Sequence, residues 1–399
     1  MKSRSVASRL EVLLVFLRLG CTSFGGPIAH LGYYRRELVE RRRWCSEGTF
    51  AEIIAIAQSL PGPASSQTGF ALGVVRAGWL GGIAAWIGFT LPSAALMFAF
   101  AYGHAFLGGS AGSALLHALQ IVAVAVVAQA VLTMQRSLAP DALRLALAAI
   151  AACVVLFLPT HFATLIAIGL GALIGLAFFR KHHQHSSEPF ALHLSRRAGV
   201  AAGSAFLLLL VLSQLLAHFT QWQSLQVFSA FYRSGALVFG GGHVVLPLLE
   251  DAVVASGWVT QQAFLAGYGA AQALPGPLFA FAAYLGAVVH AASSPLLYGL
   301  LGLIGIFAPG LLAMAAVLPF WSAFRDNIAA QAALKGINSS VVGILLAAFI
   351  HPLWSFTIHL PSDLCFALLA FAMLVLWKLP SWIVVISTVA AYMLFIRIA

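Results

Sequence analysis

Gln58-Ser59-Leu60-Pro61-Gly62-Pro63 runs directly into Ala64-Ser65-Ser66-Gln67-Thr68, inside a stretch that is otherwise apolar. Proline removes a backbone donor and clashes with the preceding helical turn, so Pro61-Gly62-Pro63 should split the segment into half-helices at 49–60 and 64–75. The second half-helix then opens with unpaired N–H groups and the positive end of a dipole, which suits an anion. Ser65, Ser66, Gln67 and Thr68 add hydroxyl and amide donors, the groups an oxyanion takes. The plainer readings are a packing kink, hydroxyls that cap the half-helix, and a Gln58 that ties up freed carbonyls. Arg18 lies in another apolar run; a guanidinium there either attracts an anion or snorkels to the interface. Glu52 is a candidate for a coupling proton, with an arginine pair or an interfacial site as the alternatives.

Most of these residues recur. Arg18, Phe24-Gly25-Gly26, Trp44 and Gln58…Pro61-Gly62-Pro63 return as Arg233, Phe239-Gly240-Gly241, Trp258 and Gln272…Pro275-Gly276-Pro277. The offsets are 239 − 24 = 215 and 275 − 61 = 214, so spacing repeats along with residue type. The second break predicts half-helices at 260–274 and 278–293, but Leu278-Phe279-Ala280-Phe281 carries no hydroxyl and Ala266 stands where Glu52 would. The first copy is therefore expected to supply most substrate contacts. Two copies of one unit, each broken at Gly and Pro, are the pattern of a secondary transporter.

The elements that position these residues are membrane helices. Hydrophobic residues make up 61% of the 399 and charged ones 8%, far below the quarter usual in soluble proteins. Apolar runs long enough for a bilayer recur near 78–104, 113–135, 142–158, 160–179, 198–219, 296–323, 332–350, 363–378 and 381–397. The first twenty residues resemble a signal peptide, but Arg18 interrupts them and they read as the first membrane segment. The fold class implied is an all-α polytopic membrane protein with two inverted homologous halves and about thirteen segments, several broken or re-entrant. Cys21, Cys45, Cys153 and Cys365 are scattered and read as packing residues. The net charge of +10 falls in clusters between apolar runs, which argues against nucleic acid as a partner. No nucleotide-binding loop or catalytic motif is present, so a transporter is expected, without cofactor or metal, rather than an enzyme.

The domain boundaries follow from charge. Residues 1–180 form one repeat, 181–197 a basic cytoplasmic linker, 198–224 an inverting helix and connection, and 225–399 the second repeat. Arg76, the Arg136–Arg144 turn, Arg325, Lys335 and Lys378 fall inside; the turns near 105–112, 159–161, 220–230 and 351–363 fall outside. Arg35, Arg36, Arg41, Arg42 and Arg43 follow the first Phe-Gly-Gly, whereas only Glu250 and Asp251 follow the second. Opposite charge in matching loops predicts opposite orientation. A full span at 10–34 would put the five arginines outside, so 10–34 and 226–248 are read as broken or re-entrant. Their hinges are placed at Gly20/Gly25-Gly26-Pro27 and Gly235/Gly240-Gly241-Gly242. The reading is a multi-pass inner (plasma) membrane protein with a cytoplasmic N-terminus and a periplasmic C-terminus. The bilayer is its partner, with a homodimer as an option.

His30 and His243 sit near the glycine hinges and read as structural; His182, His183, His185 and His193 read as solvated linker rather than a metal site. Lys335 and Asn338 match His117 and Gln120 and read as interfacial, with pore lining as the alternative.

Phe24-Gly25-Gly26-Pro27…Arg35-Arg36-Glu37-Leu38-Val39, Leu60-Pro61-Gly62-Pro63-Ala64-Ser65-Ser66-Gln67, Phe239-Gly240-Gly241-Gly242-His243 and Leu274-Pro275-Gly276-Pro277-Leu278 together resemble the chromate ion transporter family in its long, two-domain form. The resemblance implies an inner-membrane exporter of chromate that confers chromate resistance, with sulfate as the chemical relative. Expelling a dianion from a negative cytoplasm is downhill by roughly 4.6 kcal/mol per 100 mV, so a proton partner is optional. Rival readings are a sulfate or other oxyanion importer, a passive anion channel, and a chromate reductase for which no cofactor site is found.

Overall fold

The computed structural model describes residues 2–104, 109–158, 162–180, 195–289, 294–321 and 327–398. The linker histidines, Arg325 and the turn at 159–161 lie outside those residues. The described chain is helical throughout. The first half contains α1 (Lys2–Thr22), α2 (Gly26–Tyr34), α3 (Glu47–Ser59), α4 (Ala64–His104, kinked at Ala77 and Gly78), α5 (Gly109–Leu138), α6 (Ala142–Phe157) and α7 (Ala163–Phe178). After α8 (Arg196–Phe219) the second half contains α9 (Gln223–Ala236), α10 (Val245–Val253), α11 (Gln261–Ala271), α12 (Phe281–Ala287), α13 (Pro295–Val317), α14 (Ile328–Ala348), α15 (Pro361–Val375) and α16 (Ser381–Ile398). Among the described residues, six helices are long and apolar enough to cross a membrane.

The broken segments turn back. Glu11, midway along α1, pairs with Arg42 at 3.2 Å and with Arg76 at 2.8 Å. Arg42 follows α2, and Arg76 sits at the kink of α4. One carboxylate thus gathers the start of the first hairpin, its end and the end of the second hairpin at one face. A chain that returns to its own starting face has not crossed. The pairs α1–α2 and α3–α4 (up to the kink) are therefore re-entrant hairpins, with tips at 23–25 and 60–63. The 13 residues of α3 reach about 20 Å, some two thirds of the hydrocarbon core. In the second half, α9, α10, α11 and α12 have 14, 9, 11 and 7 residues and are equally unable to cross.

The two halves run in opposite directions. Leu138, the last residue of α5, accepts a hydrogen bond from Ser339 Oγ at 3.2 Å. Helix α5 also packs against residues 349–357, beyond the end of α14. Those residues lie about 15 Å or more along the axis from Ser339, so the α5 residues they touch precede Leu138. Helices α5 and α14 are therefore antiparallel. They occupy the same place in the two repeats, so the repeats are inverted, as the loop charges predict.

The halves also interlock. Helix α5 packs against α15 and α16, while α14 packs against α6 and α7. Glycine permits the closeness: a Cβ on Gly336 would run into the backbone of Gly171 and Gly175 on α7. Gly20 and Gly235 are not hinges. Both lie inside helices, and a Cβ at Gly20 would meet the carbonyls of Gly88 and Phe89, at Gly235 that of Ile306. They are points of close approach, and the chain turns only at Gly25-Gly26 and Gly240-Gly241, whose φ values are all positive.

Candidate functional site

The four hairpin tips meet across the halves. The Gly62 N–H donates to Val238 O at 2.7 Å, and the Gly276 N–H donates to Ser23 O at 2.8 Å. Each Pro-Gly-Pro tip thus grips the residue just before the other half's Phe-Gly-Gly. Gly62 at φ +117° and Gly276 at φ +90° hold a backbone conformation that only glycine adopts without strain. Pro27 and Gly242, equivalent positions in the two repeats (27 + 215 = 242), also come together: a Cβ on Gly242 would lie 3.5 Å from Pro27. Equivalent residues that touch lie on the pseudo-two-fold axis, so the axis passes between the tips.

A matched pair that sequence reasoning missed completes the arrangement. Pro92 interrupts α4 and Pro309 interrupts α13. The residue after each receives a tip: Ser93 lies 2.8 Å from a Cβ on Gly276, and the Cα of Gly310 lies 2.7 Å from one on Gly62. Two helix-interior prolines following two Pro-Gly-Pro breaks were the available signal. A small cavity opens at the second tip, lined by Pro275, Gly276, Pro277, Phe281, Ser93 and Met97. At the start of α16, Ser381 Oγ donates to Gln272 O at 2.9 Å, and Trp382 lies 5.7 Å from the ring of Phe24.

The tip residues differ in what they leave free. Gln67 Nε2 donates to Pro61 O at 2.8 Å and to Gly310 O at 2.9 Å, which leaves its buried Oε1, an acceptor, unpaired. Gln67 therefore holds the break together, with no donor to spare. Thr68 Oγ1 donates back to Ala64 O within its helix. Ser65 and Ser66 are both buried, and Ser66 Oγ has no partner among the described residues. Gln58 is exposed, whereas Gln272 is buried beside the Tyr268 hydroxyl. Arg18 is exposed on α1 and Arg233 half-buried on α9; the structure brings neither into a hydrogen bond or ion pair with the tips. Buried Glu52 accepts from Trp321 Nε1 beyond α13, a bond between the halves. His243 Nδ1 lies 2.7 Å from Tyr268 OH, close to the second tip. His117 pairs with Asp363 at 3.2 Å, and Gln120 Nε2 donates to Gln262 O at 3.2 Å, so both act between halves. Asn338 lies beside Gly240, its Oδ1 buried without a partner.

Such a constellation has polar groups and helix N-termini at the middle of a membrane domain, between two halves that face opposite ways. Transporter sites of this general kind lie between inverted halves. A family profile described as "Chromate transporter" matches residues 10–176 and 225–394, once in each half. The chain belongs to the chromate transporter family. It is 32% identical over 345 residues to a chromate transport protein of Pseudomonas aeruginosa, covering 84% of this chain and 79% of that protein. It is 27% identical to a probable chromate transport protein of Synechococcus elongatus, over 84% of this chain and 82% of that one. A chromate transport protein of Cupriavidus metallidurans is 25% identical over 92% of this chain and 88% of its own length. No solved structure matches the chain.

Proposed function

We propose that this chain is a secondary transporter that exports chromate from the cytoplasm across the inner membrane and so confers chromate resistance. The observation that carries the reading is the reciprocal bonding of Gly62 to Val238 and Gly276 to Ser23 across inverted halves. A site shared between two such halves is exposed to one side or the other as they rock. The relatives named for chromate transport supply the substrate. Direction rests on charge. Arg42 and Arg76 meet at Glu11, Arg35, Arg36, Arg41 and Arg43 lie in the same loop as Arg42, and by the positive-inside rule that face is cytoplasmic. With the shorter apolar helices α6, α7 and α15 crossing alongside the six long ones, nine crossings put the C-terminus in the periplasm. Membrane potential alone drives a dianion outward by roughly 4.6 kcal/mol per 100 mV.

Purified protein in vesicles tests the reading, with potential and pH gradient imposed separately. Chromate should move toward the positive side at equal pH, and unlabelled sulfate should compete as a chemical relative. No chromate flux in either direction, with sulfate flux intact, would reassign the substrate.

A further inference from the structure

The first half encloses polar groups that the second half lacks. Ser23 Oγ, Tyr34 OH and Ser66 Oγ are buried and have no hydrogen-bond partner among the described residues, and the buried His30 ring beside them approaches the Ser23 carbonyl. Their equivalents by the repeat offset are Val238, Val245, Leu249 and Ala280 (23, 30 and 34 plus 215; 66 plus 214). The same backbone therefore closes around apolar side chains in one half and around four polar ones, three of them unpaired hydroxyls, in the other. Buried polar groups without partners are rare in native proteins, and each calls for a reason.

These groups lie along the seam between α2 and α4. Helices α2 and α4 (up to its kink) both run from their tips toward the face where Glu11 gathers Arg42 and Arg76, so they are parallel. A Cβ on Gly69 of α4 would lie 3.3 Å from Tyr34 OH. One turn nearer the tips, His30 comes level with Ser66. The rings of His30 and Tyr34 meet Phe89 edge-on at 5.2 and 5.3 Å, and Phe16 closes the side toward α1. Ser23 closes the tip end, where its carbonyl holds Gly276 of the other half. The N-termini of both helices point toward that end.

We propose that this polar seam between α2 and α4 is the binding site for a tetrahedral oxyanion, with Ser23, Tyr34 and Ser66 as its ligands and His30 beside them. The three hydroxyls can all donate and none of the groups is a carboxylate, so together they suit an acceptor with oxygens on every side. The two helix N-termini offset part of its charge. The inference rests on the anion-transport reading and moves the site from the Pro61-Gly62-Pro63 tip itself, where Gly62 N–H and Gln67 are already engaged, to the space behind it. His30, read from sequence as structural, borders the site through its approach to the Ser23 carbonyl.

The test is titration of purified full-length protein with chromate and with sulfate, alongside thermal unfolding, for wild type, Ser23→Val, Tyr34→Phe and Ser66→Ala. Ser23→Val and Ser66→Ala install what the second half already carries. The expected result is at least tenfold weaker anion binding with an unfolding temperature unchanged or raised, because each variant removes an unsatisfied buried group. Binding within twofold of wild type in all three overturns the site, as does weaker binding that tracks a lowered unfolding temperature. Wild type that transports chromate while the variants bind normally sinks this site alone. Wild type that neither binds nor transports either anion sinks the transport reading with it.

Discussion

The Gly62 amide donates to Val238 O at 2.7 Å, and the pseudo-two-fold repeats that bond as Gly276 to Ser23 at 2.8 Å. The two contacts are not equally tolerant. A methyl on Gly62 meets backbone, the Cα of Gly310 at 2.7 Å, whereas one on Gly276 meets the Ser93 hydroxyl at 2.8 Å. Gly62→Ala should destabilise by about 3 kcal/mol or more, combining φ strain with overpacking, and should abolish transport. Gly276→Ala should cost less and be partly rescued by Ser93→Ala, with φ strain remaining. Unfolding temperatures and flux of the three variants check the ranking.

Glu52 and Trp321 offer a second contrast. The Glu52 carboxylate accepts from the Trp321 indole across the halves. Glu52→Gln keeps an acceptor and should retain most chromate flux. Glu52→Leu leaves a buried indole N–H without that acceptor and should cost about 1–3 kcal/mol in stability. Flux of Glu52→Gln measured with and without a pH gradient decides whether Glu52 carries a proton: loss of a gradient dependence seen in wild type would assign it that role.

The interlocked helices predict where small residues matter. Gly336 packs directly on the α7 backbone at Gly171 and Gly175, while Gly169 on α7 has nothing within 4 Å of its Cβ direction. Gly336→Val should force α14 from α7 and prevent recovery of folded protein. Gly169→Ala should be neutral or stabilising by up to about 1 kcal/mol, since alanine favours helix. Yield and unfolding temperature in detergent measure both.

Much of this design is legible in the chain. Paired Phe-Gly-Gly and Pro-Gly-Pro motifs mark the tips because only Gly and Pro stop a helix there, and they do so wherever the partner lies. Inversion is legible in Arg35 against Glu250. The structure keeps even their contacts, Arg35 Nε to Glu47 Oε1 at 3.0 Å and Gln261 Nε2 to Glu250 Oε1 at 2.7 Å. Gly20 and Gly235 mislead because a glycine that permits close packing reads like one that permits a turn. Partner choice is what the sequence hides. Nothing local says that Gly62 answers to Val238 rather than Ser23, or that Gln67 spends its amide on Gly310. His30 and Tyr34 look like ordinary core residues until the unpartnered Tyr34 hydroxyl shows. The repeat itself held the clue, since both become aliphatic 215 positions on.

Inverted halves with interlaced tips are the basis of every prediction here, and sidedness tests them most directly. In a background with the native cysteines replaced, single cysteines at Ser46 and Ser256 are exposed to an impermeant thiol reagent applied to intact cells and to inside-out vesicles. These loops follow the first re-entrant hairpin of each half. The structure predicts labelling of Ser46→Cys only from the cytoplasmic face and of Ser256→Cys only from the periplasmic face. Labelling of both from the same side would contradict the inverted fold and the transport path built on it.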